Sequence, residues 1–322
     1  MLVITAAEVG ALLPMPAAIA AMRNAMIQVS QHRTVLPLRQ FMAIPDAPGK
    51  LAVMPGYIAD PPVFGVKTVA KYAHPPGSPH GSHVGIVQLF DAETGLLLAI
   101  IEGGSLTAIR TAAASALATD ALARPDSTRL AIIGTGEQAR RHVTAMAAVR
   151  PIAHVSVWGR SAAHALAFAA GLDLPARVAA TVEAAVADAD IVCTTTPATE
   201  PILFGAALRP GTHVNLVGSA IPTTAEADIA LVAASEFYVD YREAALAQAG
   251  ELRGAIAAGL VGPGHIRGEI GEVLLGLVPG RSSAAAITVY KSLGVTAQDL
   301  AAADVVLRAA RAAGAGREIE LH

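Results

Sequence analysis

The stretch Arg129-Leu-Ala-Ile-Ile-Gly-Thr-Gly-Glu-Gln-Ala139 decides the fold. An apolar run of strand length ends at Ile133, a Gly-x-Gly-x-x-Ala turn follows, and helical periodicity takes over across Gln138–Val149. Gly134 permits a tight turn and Gly136 lets the backbone approach a bound group closely. The helix opening at Glu137 and Gln138 then presents unpaired N–H groups and a partial positive charge, which together suit a pyrophosphate. A second apolar run, Val155–Trp158, arrives about twenty residues later, as a dinucleotide-binding βαβ unit requires.

Outward from this turn, Ala189–Thr194, His213–Val217 and Phe237–Asp240 read as further strands separated by helical or turn-forming text. Alternating strands and helices predict a Rossmann-type, doubly wound parallel sheet over residues 116–290. The chain before it reads differently. Short strands near Leu51–Met54, Gly65–Ala70 and Gly85–Phe90 are punctuated by Pro and Gly, and a helix from about Gly104 to Ala123 leads into the nucleotide domain. The Ala- and Arg-rich tail after residue 290 is expected to rejoin the first segment. Residues 1–115 with 291–322 would then form a discontinuous α+β domain.

Composition narrows the function. Of 322 residues, 53% are hydrophobic and 15% charged, yet no apolar run approaches the roughly 18 residues of a spanning helix. No Lys or Arg precedes Arg23, so the opening lacks the positive region of a secretory signal. A net charge of −3 offers no basic footprint for nucleic acid or membrane. The lone Cys193 excludes an internal disulfide, reads as a packed small hydrophobe, and leaves no zinc-ligand spacing. A cytoplasmic setting without metal is expected.

At the end of the second strand, Trp158-Gly159-Arg160-Ser161 contains no acid to accept from a ribose 2′-hydroxyl. Arg160 and Ser161 suit a 2′-phosphate instead, which favours NADPH and leaves NADH possible. The competing reading of Arg160 is a solvated surface residue. Thr196 and the Val217-Gly218-Ser219 turn cap the carboxyl ends of parallel strands, where ligands bind in such sheets.

Together, seven segments resemble the ornithine cyclodeaminase/mu-crystallin family along most of the chain. They are VMPGY (Val53–Tyr57), GVKTV (Gly65–Val69), SHVGIVQLFDAETG (Ser82–Gly95), LTAIRTAAASALA (Leu106–Ala118), IIGTGEQA (Ile132–Ala139), GEIGEVLLG (Gly268–Gly276) and TVYKSLGVTAQDLAAA (Thr288–Ala303). The resemblance implies a homodimer whose N-terminal domain supplies the interface and the substrate pocket. It implies that Arg39, Lys67 and Arg110 hold the substrate carboxylate. Lys67 and Arg110 also stand out on their own, because a charge among small apolar residues is costly unless an anion visits. The competing reading of Arg39 is a surface ion-pair partner. Ser82, Thr111, Glu137 and Gln138 are implied as cofactor contacts, with Glu137 acting through its backbone.

Two departures shape the expected activity. Cyclodeaminase members carry a Glu where Ala52 stands and an Asp where Ala220 follows Gly218-Ser219. Alanine can neither move a proton nor pair a substrate ammonium. The chain therefore resembles the ketimine reductase and Δ1-pyrroline-2-carboxylate reductase members. The expected reaction is NAD(P)H-dependent reduction of a small cyclic ketimine carboxylate, Δ1-pyrroline-2-carboxylate to L-proline or piperideine-2-carboxylate to pipecolate. Alternatives are cyclodeaminase-like or alanine-type dehydrogenase activity, or a non-catalytic, crystallin-like NADPH-binding protein. Lys67 is one candidate acid for the imine nitrogen, its pKa lowered by neighbouring guanidinium groups. His83 is another, against the reading of a structural histidine beside a strand. His74 and His80 read as loop residues, Phe41 and Met42 as core or pocket wall, and Lys291 either as a substrate or cofactor contact or as a helix-surface lysine.

Overall fold

The computed structural model describes residues 1–47, 49–72 and 83–320. Two compact units divide the chain, Met1–Arg110 with Val295–His322, and Thr111–Gly294.

The first unit begins with strand β1 (Leu2–Ile4), helices α1 (Ala6–Leu12) and α2 (Met15–Ser30), and strands β2 (Thr34–Val35) and β3 (Gln40–Ala43). The long strands β4 (Lys50–Ala59), β5 (Pro62–Lys71) and β6 (His83–Asp91) follow, then β7 (Leu97–Glu102) and the start of helix α3 (Gly103–Leu122). Along β5, Val63, Gly65, Lys67 and Val69 are buried while their neighbours are not, the period-2 signature of a strand covered on one face. The Glu102 carboxylate accepts from the N–H groups of Gly104 at 2.6 Å and Ser105 at 2.8 Å, satisfying two otherwise unpaired donors at the start of α3.

The second unit carries β8 (Arg129–Ile133), α4 (Glu137–Val149), β9 (His154–Trp158), α5 (Ala162–Ala170), β10 (Ala176–Val178), α6 (Val182–Val186), β11 (Ile191–Thr194) and β12 (His213–Leu216). It continues with α7 (Ile229–Ala234), β13 (Glu236–Val239), α8 (Arg242–Gln248), α9 (Gly250–Ala257), β14 (Ile266–Glu269), α10 (Ile270–Leu274) and β15 (Thr288–Lys291). Its eight strands run in the order β10-β9-β8-β11-β12-β15-β13-β14, and every pairing is parallel. Strands β11, β12 and β15 are buried throughout, as expected when helices cover both faces. The direction of strand addition reverses between β8 and β11, the crevice where ligands bind in doubly wound sheets. Strand β15 lies inside this sheet, so Lys291 belongs to the nucleotide-type unit and not to the tail segment that begins at residue 291 in the sequence reading.

Helix α11 (Thr296–Ala313) and strand β16 (Arg317–Glu318) return the chain to the first unit. There β16 completes an eight-stranded sheet in the order β16-β1-β7-β6-β5-β4-β2, with β3 also paired to β4. Helix α11 packs on α2 and on strands β4, β5 and β6. Among the described residues, no helix is long and apolar enough to cross a membrane.

Candidate functional site

In the first unit Lys67, on the covered face of β5, is 3% exposed. Arg110, on α3, is 5% exposed. Both meet Asp299, in the first turn of α11. Lys67 Nζ and Arg110 Nε each donate to Asp299 Oδ1 at 2.9 Å. Arg110 Nη1 donates to Gln298 Oε1 at 2.8 Å, and Gln298 Nε2 reaches Met26 Sδ at 3.3 Å. The cations are thus already partly balanced by a buried carboxylate, where the sequence reading assigned their compensation to a visiting anion alone. Two cations on one anion still leave net positive charge in a low-dielectric setting. Arg110 Nη2 makes no hydrogen bond among the described residues, and Lys67 has donors to spare. The cluster therefore has the charge and the spare donors that a second carboxylate would need.

Burial is the largest influence on Lys67 and pulls its pKa down to about 8. Asp299 opposes the shift, while Arg110 and then Arg39 add to it. The direction matches the sequence expectation, but desolvation outweighs the guanidinium groups that were given as its cause. For Asp299, burial favours the neutral acid, yet Arg110 and Lys67 outweigh it and hold the carboxyl below its ordinary range. Arg39 is half-buried and within electrostatic reach of Lys67, whereas Lys67 and Arg110 meet directly on Asp299.

Asp299 and Gln298 are the residues the sequence reading missed. They lie inside a quoted family segment, but an Asp in the first turn of an Ala-rich helix reads as an ordinary complement to the helix dipole. The usable signal was the density of small apolar neighbours, Leu300 to Ala303, implying burial all round.

The other sequence candidates of this unit fare unevenly. His83 pairs with Lys71 at the start of β6, and its side chain lies outside the described residues, as do Ser82, His74 and His80. Phe41 and Met42, expected as core or pocket wall, are 42% and 55% exposed, with Lys50 Nζ lying 4.8 Å from the Phe41 ring centre.

In the second unit the Gly-rich turn has the anticipated geometry. Gly134 adopts a φ of +125°, and a Cβ there would stand 2.6 Å from Thr195 Oγ1. Gly136 is the N-cap of α4, with open space where a side chain would project. No side chain caps that helix, so Glu137 and Gln138 present their backbone N–H groups. Gln138 Oε1 is buried without a partner among the described residues. The Glu137 carboxylate instead points to Arg141, 3.9 Å away on the exposed helix surface. These features fit a dinucleotide pyrophosphate.

Arg160 is exposed and has no partner among the described residues, whereas Ser161 is occupied in capping α5, its Oγ accepting from His164 N at 3.3 Å. The phosphate role inferred for Ser161 therefore competes with a structural one. Thr111 is buried on α3.

Around the strand ends one acid organises two of the expected contacts, Thr196 and Gly218. Buried Glu226 accepts from Thr194 Oγ1, Thr196 N and Thr196 Oγ1, each at 2.7 Å, and from Gly218 N at 2.6 Å. Val217 N donates to Thr194 O at 3.2 Å, and Ser219 Oγ donates to Thr224 O at 2.6 Å. Lys291 is fully buried, donating to Ser219 O at 2.7 Å and pairing with Glu251 at 3.0 Å. It ends the buried strand β15 and supports the turn, which corrects the helix-surface reading given for it from sequence. Cys193 is buried, and desolvation pushes its thiol up to about 12. No cluster of metal ligands occurs among the described residues.

Comparison with known proteins agrees with this geometry. The model of the ornithine cyclodeaminase/mu-crystallin family matches residues 1–314. The chain is 38% identical to ketimine reductase mu-crystallin of Mus musculus over 84% of this chain and 83% of that one. It is 36% identical to a Δ1-pyrroline-2-carboxylate reductase of Bacillus cereus, covering 99% of this chain and all of its relative. Among solved structures, the Thermococcus litoralis Δ1-pyrroline-2-carboxylate reductase in complex with NADH and L-proline superposes with a TM-score of 0.95 at 31% identity, covering 99% and 100% of the two chains. The chain belongs to the ornithine cyclodeaminase/mu-crystallin family.

Proposed function

We propose that this protein is an NAD(P)H-dependent reductase of small cyclic ketimine carboxylates, acting on Δ1-pyrroline-2-carboxylate to form L-proline and on piperideine-2-carboxylate to form pipecolate. The observation that carries the reading is the convergence of Lys67 and Arg110 on Asp299 with donors left over for a second carboxylate. The full-length similarity to Δ1-pyrroline-2-carboxylate reductases supports it.

In this reading Arg110 and Arg39 bind the substrate carboxylate, with Arg110 Nη2 as the open donor. Their charge fixes the imine carbon in one orientation and raises its effective concentration at the site. A nicotinamide bound to the second unit supplies the hydride. Lys67, with a pKa near 8, is a competent acid at neutral pH and holds the proton that the imine nitrogen needs. Ala52 and Ala220 supply no carboxylate to manage a second amine, which argues against cyclisation of a diamino acid. Arg160 and the absence of an acid after β9 favour NADPH, with NADH also accepted. We also propose a cytoplasmic homodimer formed through the first unit, where Val35, Met42, Val84 and Leu96 are exposed.

The decisive experiment follows the loss of reduced-cofactor absorbance with Δ1-pyrroline-2-carboxylate, piperideine-2-carboxylate, and pyruvate plus ammonia. Turnover of both cyclic imines, faster with NADPH, is expected. Turnover of pyruvate plus ammonia with neither cyclic imine accepted would replace this reading by an alanine-type dehydrogenase.

A further inference from the structure

The buried charges beneath one turn of the second unit do not cancel. Glu226, Glu251 and Lys291 are fully buried and form one connected group. Glu251, in the first turn of α9, accepts from Glu226 N at 3.0 Å and from Lys291 Nζ at 3.1 Å. Lys291 Nζ also donates to Ser219 O at 2.7 Å. Lys291 and Glu251 therefore balance one another. Glu226 pairs with no cation among the described residues, so these three side chains keep one net negative charge.

The surroundings of Glu226 favour its carboxylate form. Oε1 accepts from Thr196 N and Thr196 Oγ1, and Oε2 accepts from Thr194 Oγ1 and Gly218 N. Hydrogen bonds donated to both oxygens hold a carboxyl group ionised. A buried charge without a counter-ion is nonetheless costly. Neutral side chains could tie the same strand ends together without that cost, so the charge itself calls for a use.

Its place in the sheet indicates which ligand feels it. The two halves of a doubly wound sheet each take one mononucleotide of a dinucleotide, across the crevice where strand order reverses. The Gly134–Gly136 turn and Arg160 belong to the half that runs through β8, β9 and β10, the side that takes the adenosine. The other half begins at β11 and β12, whose ends carry Thr194, Thr196 and the Val217–Ser219 turn, and the nicotinamide side falls there. Gly218 lies directly against the acid, since a Cβ at this position would stand 2.6 Å from Glu226 Oε1. In a buried, weakly screened setting a charge acts well beyond its hydrogen-bonded neighbours.

We propose that Glu226 is an electrostatic element of the nicotinamide site: its uncompensated charge, acting through the Gly218-Ser219 turn, favours the oxidised, positively charged nicotinamide over the neutral, reduced one. This rests on the nicotinamide dependence in the reading above and adds which form of the cofactor the site prefers. Reduction of the imine moves a hydride, with its electron pair, to the imine carbon and a proton to the imine nitrogen, and one positive charge is left on the nicotinamide. A fixed negative charge on that side stabilises the positive charge as it develops and needs no reorganisation to do so. Glu251 and Lys291 set the size of the effect, because removing either changes the charge of the same group by one unit.

The test measures binding by calorimetry, with the full-length protein and no imine present. Kd is read for the oxidised and the reduced form of whichever pair binds more tightly, NADP(H) or NAD(H). Glu226→Gln keeps the side-chain size and removes the charge. The expected result is a Kd ratio, oxidised over reduced, that rises about tenfold, as the loss of one nearby, partly screened charge produces. Glu251→Gln leaves all four bonds to the Glu226 carboxylate in place and should move the ratio in the same direction, so the test survives a Glu226 variant that does not fold. Lys291→Met should lower the ratio. Glu226→Asp keeps the charge and should weaken both forms together, with the ratio near that of the wild type. A ratio that stays in place or falls in the glutamine variants, or that rises in Lys291→Met, makes the acid purely structural and overturns this proposal alone. A wild-type protein that binds neither pair overturns the nicotinamide reading, and this proposal with it.

Discussion

Asp299 Oδ1 lies 2.9 Å from Lys67 Nζ, and the same oxygen accepts from Arg110 Nε, so one buried carboxylate is shared by both cations. Asp299 raises the Lys67 pKa against burial and the arginines. Its removal should therefore lower that pKa below about 8. If Lys67 protonates the imine, kcat/KM in the wild type falls as pH rises through about 8. Asp299→Asn should move this limb to lower pH, as a kcat/KM profile from about pH 6 to 10 with substrate protonation controlled would reveal. An unmoved limb would assign the proton to another donor.

Lys67→Met and Arg110→Met each delete an expected carboxylate contact and half of a buried ion pair. Both should lower kcat/KM by at least about a hundredfold, the worth of a charge-assisted contact in a desolvated site. Leaving Asp299 with one partner should also cost up to about 3–5 kcal/mol. Urea denaturation followed by circular dichroism separates the two effects, because dinucleotide binding should survive in the folded fraction.

Arg160→Ala tests the cofactor preference. A rise of about tenfold in KM for NADPH with little change for NADH is expected if the guanidinium holds a 2′-phosphate. Equal losses for both cofactors would remove that role. Steady-state kinetics with each cofactor at saturating imine decide it.

Gly134→Ala adds a Cβ 2.6 Å from Thr195 Oγ1 at a φ of +125°. The strain should cost about 1–3 kcal/mol of stability. It should also weaken dinucleotide affinity more than the substitution of an exposed helix residue does, measured by quenching of Trp158 fluorescence or by calorimetry.

Glu226→Gln replaces a carboxylate that accepts four hydrogen bonds with an amide whose nitrogen cannot accept any. A stability loss of about 2–4 kcal/mol, read by urea denaturation, is expected. The KM for the cofactor should rise as well, because Thr196 and Gly218 lose their common anchor.

The parallel sheet of the second unit was legible because β8, β11 and β12 are short apolar runs between turn residues, and the Gly-rich turn falls where one such run meets helical periodicity. Lys67 and Arg110 were legible as charges among small apolar residues. What escaped depends on tertiary register. Asp299 reaches Lys67 across 232 residues of sequence, and no local pattern reports a contact of that range. Lys291 follows Val289-Tyr290 and ends an apolar stretch, so nothing local distinguishes an exposed strand end from a buried one.

The discontinuity of the first unit also bears on how the molecule is made. Helix α11, which brings Asp299, follows the whole nucleotide-type unit in the chain and leaves the ribosome long after β5 and the start of α3. A nascent chain halted at Gly294 holds Lys67 and Arg110 without Asp299. The nucleotide-type unit can mature during translation, before α11 delivers Asp299 to the two cations.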